Sequence, residues 1–264
     1  EPDLRRLAEI DHDLPPRLDW RNFNGENWIT PIRNQYACGS CWAFAVLGAW
    51  ESRLRLAAGD PALEIDKSEQ QLLSCSDGDC GGWYTAAAAA FIFQHGSIDE
   101  SCMPYNTYLY DEYPCDATCA DPEASREYLY NAAYLTPNSI DAGSADILKQ
   151  ALQDGPVCVS YEVYEDFYAY SAGIYEYATG SKLGGHGVVL LGYDDTTNPP
   201  CFIAKNSWGR HWGEQGYFRV AQHEVATNFG RNALQLVVPA LSASRLVYSE
   251  QDRLHGANFG RNSD

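Results

Sequence analysis

Basic residues are scarce in this chain, and lysine is the scarcest of them. Lysine and arginine together number 18 against 36 aspartates and glutamates, and the formal net charge is −18. The lysines are Lys67, Lys149, Lys182 and Lys205. So large an excess of negative charge argues against nucleic acid or an anionic membrane as a partner. An acidic, lysine-poor surface suits an acidic compartment or a high-salt habitat, and it equally suits an ordinary soluble surface.

Long apolar runs are also missing. No stretch of the length that a membrane-spanning helix requires is present, so no membrane span is predicted. The charged opening, residues 1–6, does not resemble a signal peptide, and we expect the numbering to begin after processing. With 264 residues and 45% hydrophobic content, the chain is large enough for one large domain or two lobes with their own cores.

Cysteine occurs nine times, an odd number. This density points to an oxidising, secreted or vesicular compartment. If one cysteine is a free nucleophile, eight remain for four disulfides, whose pairing the sequence alone does not fix. Cys38 and Cys41 have the C-x-x-C spacing of some zinc sites. A second ligand pair of matching spacing is not evident, so neither a metal nor another cofactor is expected.

The segment 35–44 places Cys41 at the start of an apolar, helix-prone run. A helix N-terminus carries partial positive charge and unpaired N–H groups, which favour an anion. We therefore expect Cys41 to ionise near neutral pH and to act as a nucleophile. Two further motifs follow far downstream: a glycine-flanked histidine, His186, and an Asn-Ser-Trp-Gly segment that begins at Asn206.

Together these motifs, in this order, resemble the papain-like cysteine peptidases, the family of papain and the lysosomal cathepsins. The resemblance covers residues 14–239 and implies a two-lobed α+β fold, in which a helical lobe carries the cysteine and an antiparallel β-barrel lobe carries the histidine. The active site would lie in the cleft between the lobes.

The pattern of elements agrees with an α+β fold, because helices come first and strands later. The predicted helices are 41–58, 68–73, 84–94 and 145–153, and the predicted strands are 156–162, 187–193, 201–206, 216–221 and 234–238. The implied organisation is an extension or pro-segment remnant (1–13), the helical lobe (14–130), the β-barrel lobe (131–241) and a C-terminal tail (242–264).

The resemblance also implies roles for individual residues. Cys41 would form a thioester acyl-enzyme, His186 would act as general base and acid, and Asn206 would orient the imidazole. Gln35, with the backbone N–H of Cys41, would stabilise the oxyanion. The implied substrate-binding residues are Gly39, Gly81, Gly82, Trp83, Gly185 and Trp208. The alternative for Gln35 is an ordinary surface glutamine, for His186 a structural histidine, and for Asn206 a turn asparagine.

Two departures from the family pattern lie beside these residues. The residue that usually separates the cysteine from the glycine pair at Gly81 is absent, and Gly185 stands where the family often has Asp or Asn. Val157–Ser160 and residues near Leu236 and Val237 are expected to complete an apolar P2 pocket, which predicts a hydrophobic P2 preference.

Three disulfides are implied by the resemblance: Cys38–Cys80, Cys75–Cys115 and Cys102–Cys119. The last two follow from the likeness of the loop 102–119 to the corresponding loop of cathepsin C. Cys158 and Cys201 are left over in predicted strands that we expect to be neighbours. We predict a fourth disulfide between them, and the alternative is two buried free thiols.

The function implied by the resemblance is that of a cysteine endopeptidase. The alternatives are a dipeptidyl-type exopeptidase and a catalytically silent binding protein of the same fold. We expect a monomer that is made as a zymogen. Its expected partners are peptide or protein substrates, and a pro-segment or a protein inhibitor. The expected location is secreted or a lysosomal or vacuolar type of acidic compartment. The pentapeptide at 228–232 recurs at 258–262, and the tail copy is a candidate for docking where the first copy docks, or in the cleft.

Overall fold

The computed structural model describes residues 14–136 and 144–238, and five α-helices lie within them. They are α1 (Cys41–Ala58), α2 (Glu69–Cys75), α3 (Thr85–His95), α4 (Ser144–Leu152) and α5 (Glu165–Tyr168). None of these described helices has the length and apolar character needed to cross a membrane. The predictions for residues 1–13 and 242–264, including the second copy of the pentapeptide, lie outside the described residues.

Helix α1 begins at Cys41 and runs through the middle of the protein. Every residue from Trp42 to Leu54 is buried. Apolar side chains on all sides are typical of a helix enclosed by other elements. The helix ends at Gly59, whose left-handed conformation (φ 65°) is easily adopted by glycine. The prediction of a helix over 41–58 is confirmed.

A mainly antiparallel sheet contains strands from both ends of the described chain. The strands are β1 (Arg17–Asp19), β2 (Asn131–Tyr134), β3 (Val157–Tyr164), β4 (Ile174–Tyr175), β5 (Lys182–Asp194), β6 (Cys201–Lys205), β7 (Tyr217–Ala221) and β8 (Arg231–Val237). Their order is β2-β8-β3-β5-β6-β7-β4, with β1 added on β5, and β4 pairs with β7 in parallel. The described path does not close between β2 and β4, so the sheet is open where a closed barrel was expected.

Two cores explain why the fold has two lobes. Side chains alternate along β3, so Val157, Val159 and Tyr161 enter a core within the sheet lobe. Cys158, which faces the other way, joins Val189 of β5 in the core around α1. Helix α1 therefore packs against one face of the sheet. The predicted α+β class with two lobes is confirmed.

The sheet also differs from the prediction at several strands. Strand β5 begins at Lys182 rather than at residue 187, because Gly184 and Gly185 hide the strand character of its first part. Strands β1, β2 and β4 have only two to four residues each and leave little periodicity to detect. Strand β1, from the predicted first lobe, pairs antiparallel with β5. The lobe boundary after residue 130 stays a prediction.

Three disulfides lie in the helical part of the chain: Cys38–Cys80, Cys75–Cys115 and Cys102–Cys119. They have the connectivity that the resemblance implies. The second attaches the loop 102–119 to the end of α2, and the third closes that loop on itself. The first joins the turn before α1 to the start of the glycine pair.

The predicted Cys158–Cys201 disulfide is wrong, and both thiols are free. Cys158 lies opposite Val189 of β5, whereas Cys201 lies opposite Asp194 of the same strand. Strand β5 therefore separates β3 from β6, which places the two cysteines about 9.5 Å apart across the sheet and about 17 Å apart along it. A disulfide needs Cα atoms within about 7 Å. The error was to treat β3 and β6 as neighbours.

Candidate active site

A cleft of about 980 Å³ lies where the start of α1 meets β5. The predicted site residues that line it are Gln35, Gly39, Cys41, Gly81, Gly82, Trp83, Gly185, His186 and Trp208. Asn206 is buried, with 1% of its surface exposed, and its side chain contacts His186. The structure therefore brings together all the residues that the sequence analysis selected for catalysis and substrate binding.

Cys41 is the first residue of α1, and its side chain is half-buried. The thiol interacts with the backbone N–H groups of Gly187, Trp42 and Cys41 itself. A Cβ atom added at Gly187 would lie 3.4 Å from the carbonyl oxygen of Cys41. Strand β5 therefore passes close to the start of α1 at position 187, next to His186.

His186 is held by a hydrogen bond to Asn206. Its Nε2 lies 2.8 Å from Asn206 Oδ1, which also accepts a hydrogen bond of 2.8 Å from the backbone N–H of Ser207. Because that oxygen is an acceptor in both contacts, Nε2 carries the proton in the neutral imidazole. Nδ1 is then the unprotonated nitrogen, free to accept a proton.

Aromatic rings cover the His186–Asn206 hydrogen bond. The ring of Trp208 lies 4.8 Å from that of His186 at an interplanar angle of 35°, and Tyr168 stacks on the indole at 5.0 Å. On the other side, Tyr161 meets the imidazole edge-to-face at 5.6 Å. A hydrogen bond enclosed in this way is shielded from water and is electrostatically stronger.

Burial shifts the pKa values of both reactive groups towards their neutral forms. It raises the pKa of the Cys41 thiol, although the surrounding N–H groups lower it. It also lowers the pKa of His186 to about 4, against the opposing hydrogen bond to Asn206. Burial of the sulfur therefore opposes the contribution of the helix N-terminus to ionising Cys41. Ionising both groups together is easier, since thiolate and imidazolium attract each other at low dielectric.

The side-chain amide of Gln35 is fixed at both ends. Its Nε2 donates to the carbonyl oxygen of Cys38 at 2.8 Å, and its Oε1 accepts from the Ser207 hydroxyl at 2.6 Å. A primary amide has two N–H donors, so one remains for the cleft that Gln35 lines. This arrangement gives a rigid donor rather than an ordinary surface glutamine.

The first disulfide holds the glycine-rich wall of the cleft against the turn before α1. The Gly39 N–H donates to the carbonyl oxygen of Cys80 at 3.0 Å. A Cβ atom at Gly39 would collide with that same oxygen, so glycine is required there. With Cys38 bonded to Cys80, the C-x-x-C pair is not a zinc ligand pair.

Most residues expected in an apolar P2 pocket lie elsewhere. Val157, Cys158, Val159 and Leu236 are fully buried in the two cores, and only Ser160 of the expected set lines the cleft. The lining residues that the sequence analysis missed include Tyr134, Val163 and Arg231. Arg231 reaches the cleft because of the register in which β8 pairs with β3, and a single sequence does not reveal that register.

A buried polar chain joins the two lobes next to Asn206. Lys205 Nζ donates to the carbonyl and hydroxyl oxygens of Thr30, each at 3.0 Å. The Thr30 hydroxyl donates to Glu51 Oε2 of α1 at 2.9 Å. Burial lowers the pKa of Lys205 to about 8 and raises the pKa of Glu51, while their opposite charges oppose both shifts. The sequence analysis missed this chain, which ties β6 to α1.

Comparison with known sequences gives one consistent answer. The chain matches the model of the papain family cysteine proteases over residues 14–235. Cathepsin B-like CP3 of Giardia intestinalis is 34% identical over 210 residues, which cover 78% of this chain and 69% of that protein. Cysteine proteinase RD21A of Arabidopsis thaliana is 31% identical over 233 residues, covering 86% and 46%. The chain thus spans less than half of RD21A.

Solved structures are similar over most of the chain. The digestive procathepsin L2 proteinase from Tenebrio molitor larval midgut matches with a TM-score of 0.72 and 28% identity, over 85% of this chain and 68% of that one. The bromelain protease from Ananas comosus, in complex with the E64 inhibitor, matches with a TM-score of 0.68 and 26% identity, over 86% and 100%.

Proposed function

Because the chain belongs to the papain family of cysteine proteases, we propose that it is an endopeptidase that hydrolyses peptide bonds through a thioester on Cys41. The observation that carries the proposal is the joint presence of Cys41 and the His186–Asn206 pair at one cleft. Gln35 and the backbone N–H of Cys41 supply donors for an oxyanion at the same place.

In the first half of the reaction, Nδ1 of His186 takes the proton of the Cys41 thiol. The sulfur electron pair forms a bond to the substrate carbonyl carbon, and the carbonyl π electrons move onto the oxygen. Hydrogen bonds from Gln35 and from the Cys41 N–H stabilise that negative charge. The C–N bond then breaks as His186 donates its proton to the leaving amine, and a thioester remains.

In the second half, water replaces the amine. His186 takes a proton from water, whose oxygen attacks the thioester carbon. The C–S bond breaks, the acid product leaves, and Cys41 regains its proton from His186. Asn206 holds the imidazole in one orientation through both halves, while Trp208 and Tyr168 keep solvent away from their hydrogen bond.

The loop 102–119 supports an endopeptidase over a dipeptidyl-type exopeptidase. The loop 102–119, which resembles that of cathepsin C, contains no histidine, and none of its described residues lines the cleft. A hydrophobic P2 preference remains part of the proposal, supported by apolar surface from Trp83, Tyr134 and Val163 in the cleft wall.

Three disulfides support an oxidising compartment, secreted or of the lysosomal or vacuolar type, as the place of action. We further propose synthesis as a zymogen with a pro-segment and function as a monomer on peptide or protein substrates. Neither nucleic acid nor a membrane is proposed as a partner, on the ground of the net charge of −18.

The test is cleavage of an internally quenched peptide that is blocked at both ends, under mild reduction at pH 5 and pH 7. We expect cleavage by the wild type and by Cys158→Ala, a matched variant that removes a buried free thiol. Cys41→Ala should be inactive. Cleavage only of peptides with a free N-terminus would favour the dipeptidyl-type alternative. Absence of cleavage, together with no labelling of Cys41 by an epoxysuccinyl inhibitor, would favour a silent binding protein.

A further inference from the structure

Arg231 is the one arginine among the described residues that line the cleft. Among the described residues that line the cleft, no aspartate, glutamate or lysine occurs. This is unexpected in a chain with twice as many acidic as basic residues, 36 against 18. A single cation in a cleft with walls of low dielectric creates a local positive potential, which attracts an anionic group.

Glu162, the carboxylate next to Arg231, is shared between two cations. Glu162 contacts Nη1 of Arg231, and it also contacts Nζ of Lys182 at 2.7 Å. One negative charge is thus shared by two positive charges, which leaves the group with a net charge of +1. Lys182 does not line the cleft, and its side chain is 55% exposed, so solvent hydrates that cation. Of these three described residues, Arg231 is the one that lines the cleft.

The guanidinium of Arg231 also has unused hydrogen-bonding capacity. Glu162 takes the Nη1 end, and the buried Nε has no hydrogen-bond partner among the described residues. Nη2 would lie 3.1 Å from a Cβ atom placed at Gly185, so a side chain at that cleft position would crowd the guanidinium. Glycine at 185 therefore leaves room for a ligand beside the planar donor group, which suits a carboxylate.

The sheet order places Arg231 on the acyl side of the scissile bond. Arg231 pairs with Ser160 of β3, which in turn pairs with Gly187 of β5. Two strand spacings, about 9.5 Å, separate Arg231 from the backbone next to His186. Trp208 follows β6, on the opposite side of β5, where the leaving group is expected. Arg231 therefore faces the part of the substrate that becomes the acyl group.

We propose that Arg231 adds a selection for glutamate over its uncharged isostere glutamine to the hydrophobic P2 preference proposed above. The inference rests on the proposed peptidase function. Two extended residues span at most about 7 Å, and the side chain of a glutamate supplies the remaining reach to the guanidinium. The two methylene groups of that side chain would pack on Tyr134 and Val163, which also line the cleft. A P2 glutamate thus uses both the apolar and the charged parts of the wall.

The experiment compares two internally quenched peptides that differ only in Glu or Gln at P2, at pH 7, where glutamate is ionised. We expect kcat/KM to be about 10-fold higher for the Glu peptide, the effect of one charge-assisted hydrogen bond. An isomeric peptide with the glutamate at P2′ has the same net charge and should show no gain. A Glu-to-Gln ratio of one or less in the wild type would overturn the inference.

Three variants test the assignment to Arg231. Arg231→Gln should lower the ratio to one or below, whereas Lys182→Gln, which leaves the guanidinium in place, should lower it by less. The lysine variant is the matched control, because it removes the other cation that contacts Glu162, and that cation lies outside the cleft. Glu162→Gln should raise the ratio by releasing the guanidinium from its partner.

An unchanged ratio in Arg231→Gln would overturn the inference. If that variant does not fold, the wild-type ratio and Glu162→Gln decide, and a ratio that does not rise in Glu162→Gln counts against it. Equal cleavage of the Glu and Gln peptides refutes only the selection by Arg231. Cleavage of neither peptide overturns the proposed peptidase function and this inference with it.

Discussion

Removing Lys205 should destabilise the protein by more than the loss of two ordinary hydrogen bonds. Lys205→Met deletes both bonds to Thr30 and removes the cation whose charge most favours ionised Glu51, a buried carboxylate. Breaking one side of a buried charge pair costs about 3–5 kcal/mol. Glu51, whose pKa burial already raises, can take up a proton instead. We therefore expect a loss of about 3–5 kcal/mol at pH 7.5 and a smaller one at pH 5.

A double-mutant cycle makes this reasoning testable. The four proteins are the parent, Glu51→Gln, Lys205→Met and the double variant, all carrying Cys41→Ala to prevent self-digestion. Urea unfolding, followed by the fluorescence of the seven tryptophans, gives each free energy of unfolding. We expect the double variant to lose less than the sum of the single losses, by about 1–3 kcal/mol. Additivity within about 0.5 kcal/mol would refute a coupled pair.

The same cycle predicts a pH dependence whose sign follows from Lys205. Burial holds its folded pKa at about 8, against 10.5 ordinarily. Between these values the unfolded chain binds more protons, so the free energy of unfolding should rise with pH through that window, by at most about 3 kcal/mol. The difference between the parent and Lys205→Met isolates this term. A difference that does not change between pH 8 and pH 10 would contradict it.

Three further predictions concern the site. Gln35→Ala should lower kcat by about 10²–10³, and Ser207→Ala, which only frees the Gln35 amide, should lower it less; equal effects in both would argue against a direct oxyanion contact. Burial lowers the pKa of His186 to about 4 from 6.5, so the unfolded state binds more protons in that window. In the Cys41→Ala background, stability should therefore fall by about 3 kcal/mol as the pH drops from 6.5 to 4, relative to the same protein with His186→Gln. Thiol titration of the denatured protein, with its disulfides left intact, should find three free thiols: Cys41, Cys158 and Cys201. A count of one would restore the predicted fourth disulfide.

Local signals in the sequence predicted the helices well. Helix α1 has an apolar composition and a terminating Gly59, and its predicted bounds match the structure. The predicted strand β5 was too short because Gly184 and Gly185 carry no strand propensity. Pairing with β3 nevertheless holds both residues in the sheet. The Cys158–Cys201 error has the same origin, since strand order is a long-range property. Local propensity therefore predicted elements but not their neighbours.

The residues of the candidate site also fall into those that a local motif predicts and those that only strand pairing brings to the cleft. Cys41, His186 and Gln35 lie in motifs with their own spacing, so the sequence selects them before any fold is known. Arg231 belongs to no such motif, and it reaches the cleft only because β8 pairs with β3. The electrostatics of Cys41 also combine a local and a long-range effect. A helix start is visible in a sequence, whereas the burial of the sulfur depends on the opposing β5.

The segment 20–40 crosses from β1 on the sheet to the first residue of α1, and it is fastened along the way. Thr30 bonds to Lys205 and Glu51, and Gln35 bonds to Ser207. Helix α1 in turn buries its side chains against strands of the other lobe. Neither lobe would keep its core if the other unfolded, so denaturation should be a single cooperative transition. The unit of folding is therefore larger than the lobe, and a gene fragment encoding one lobe should yield an unfolded chain.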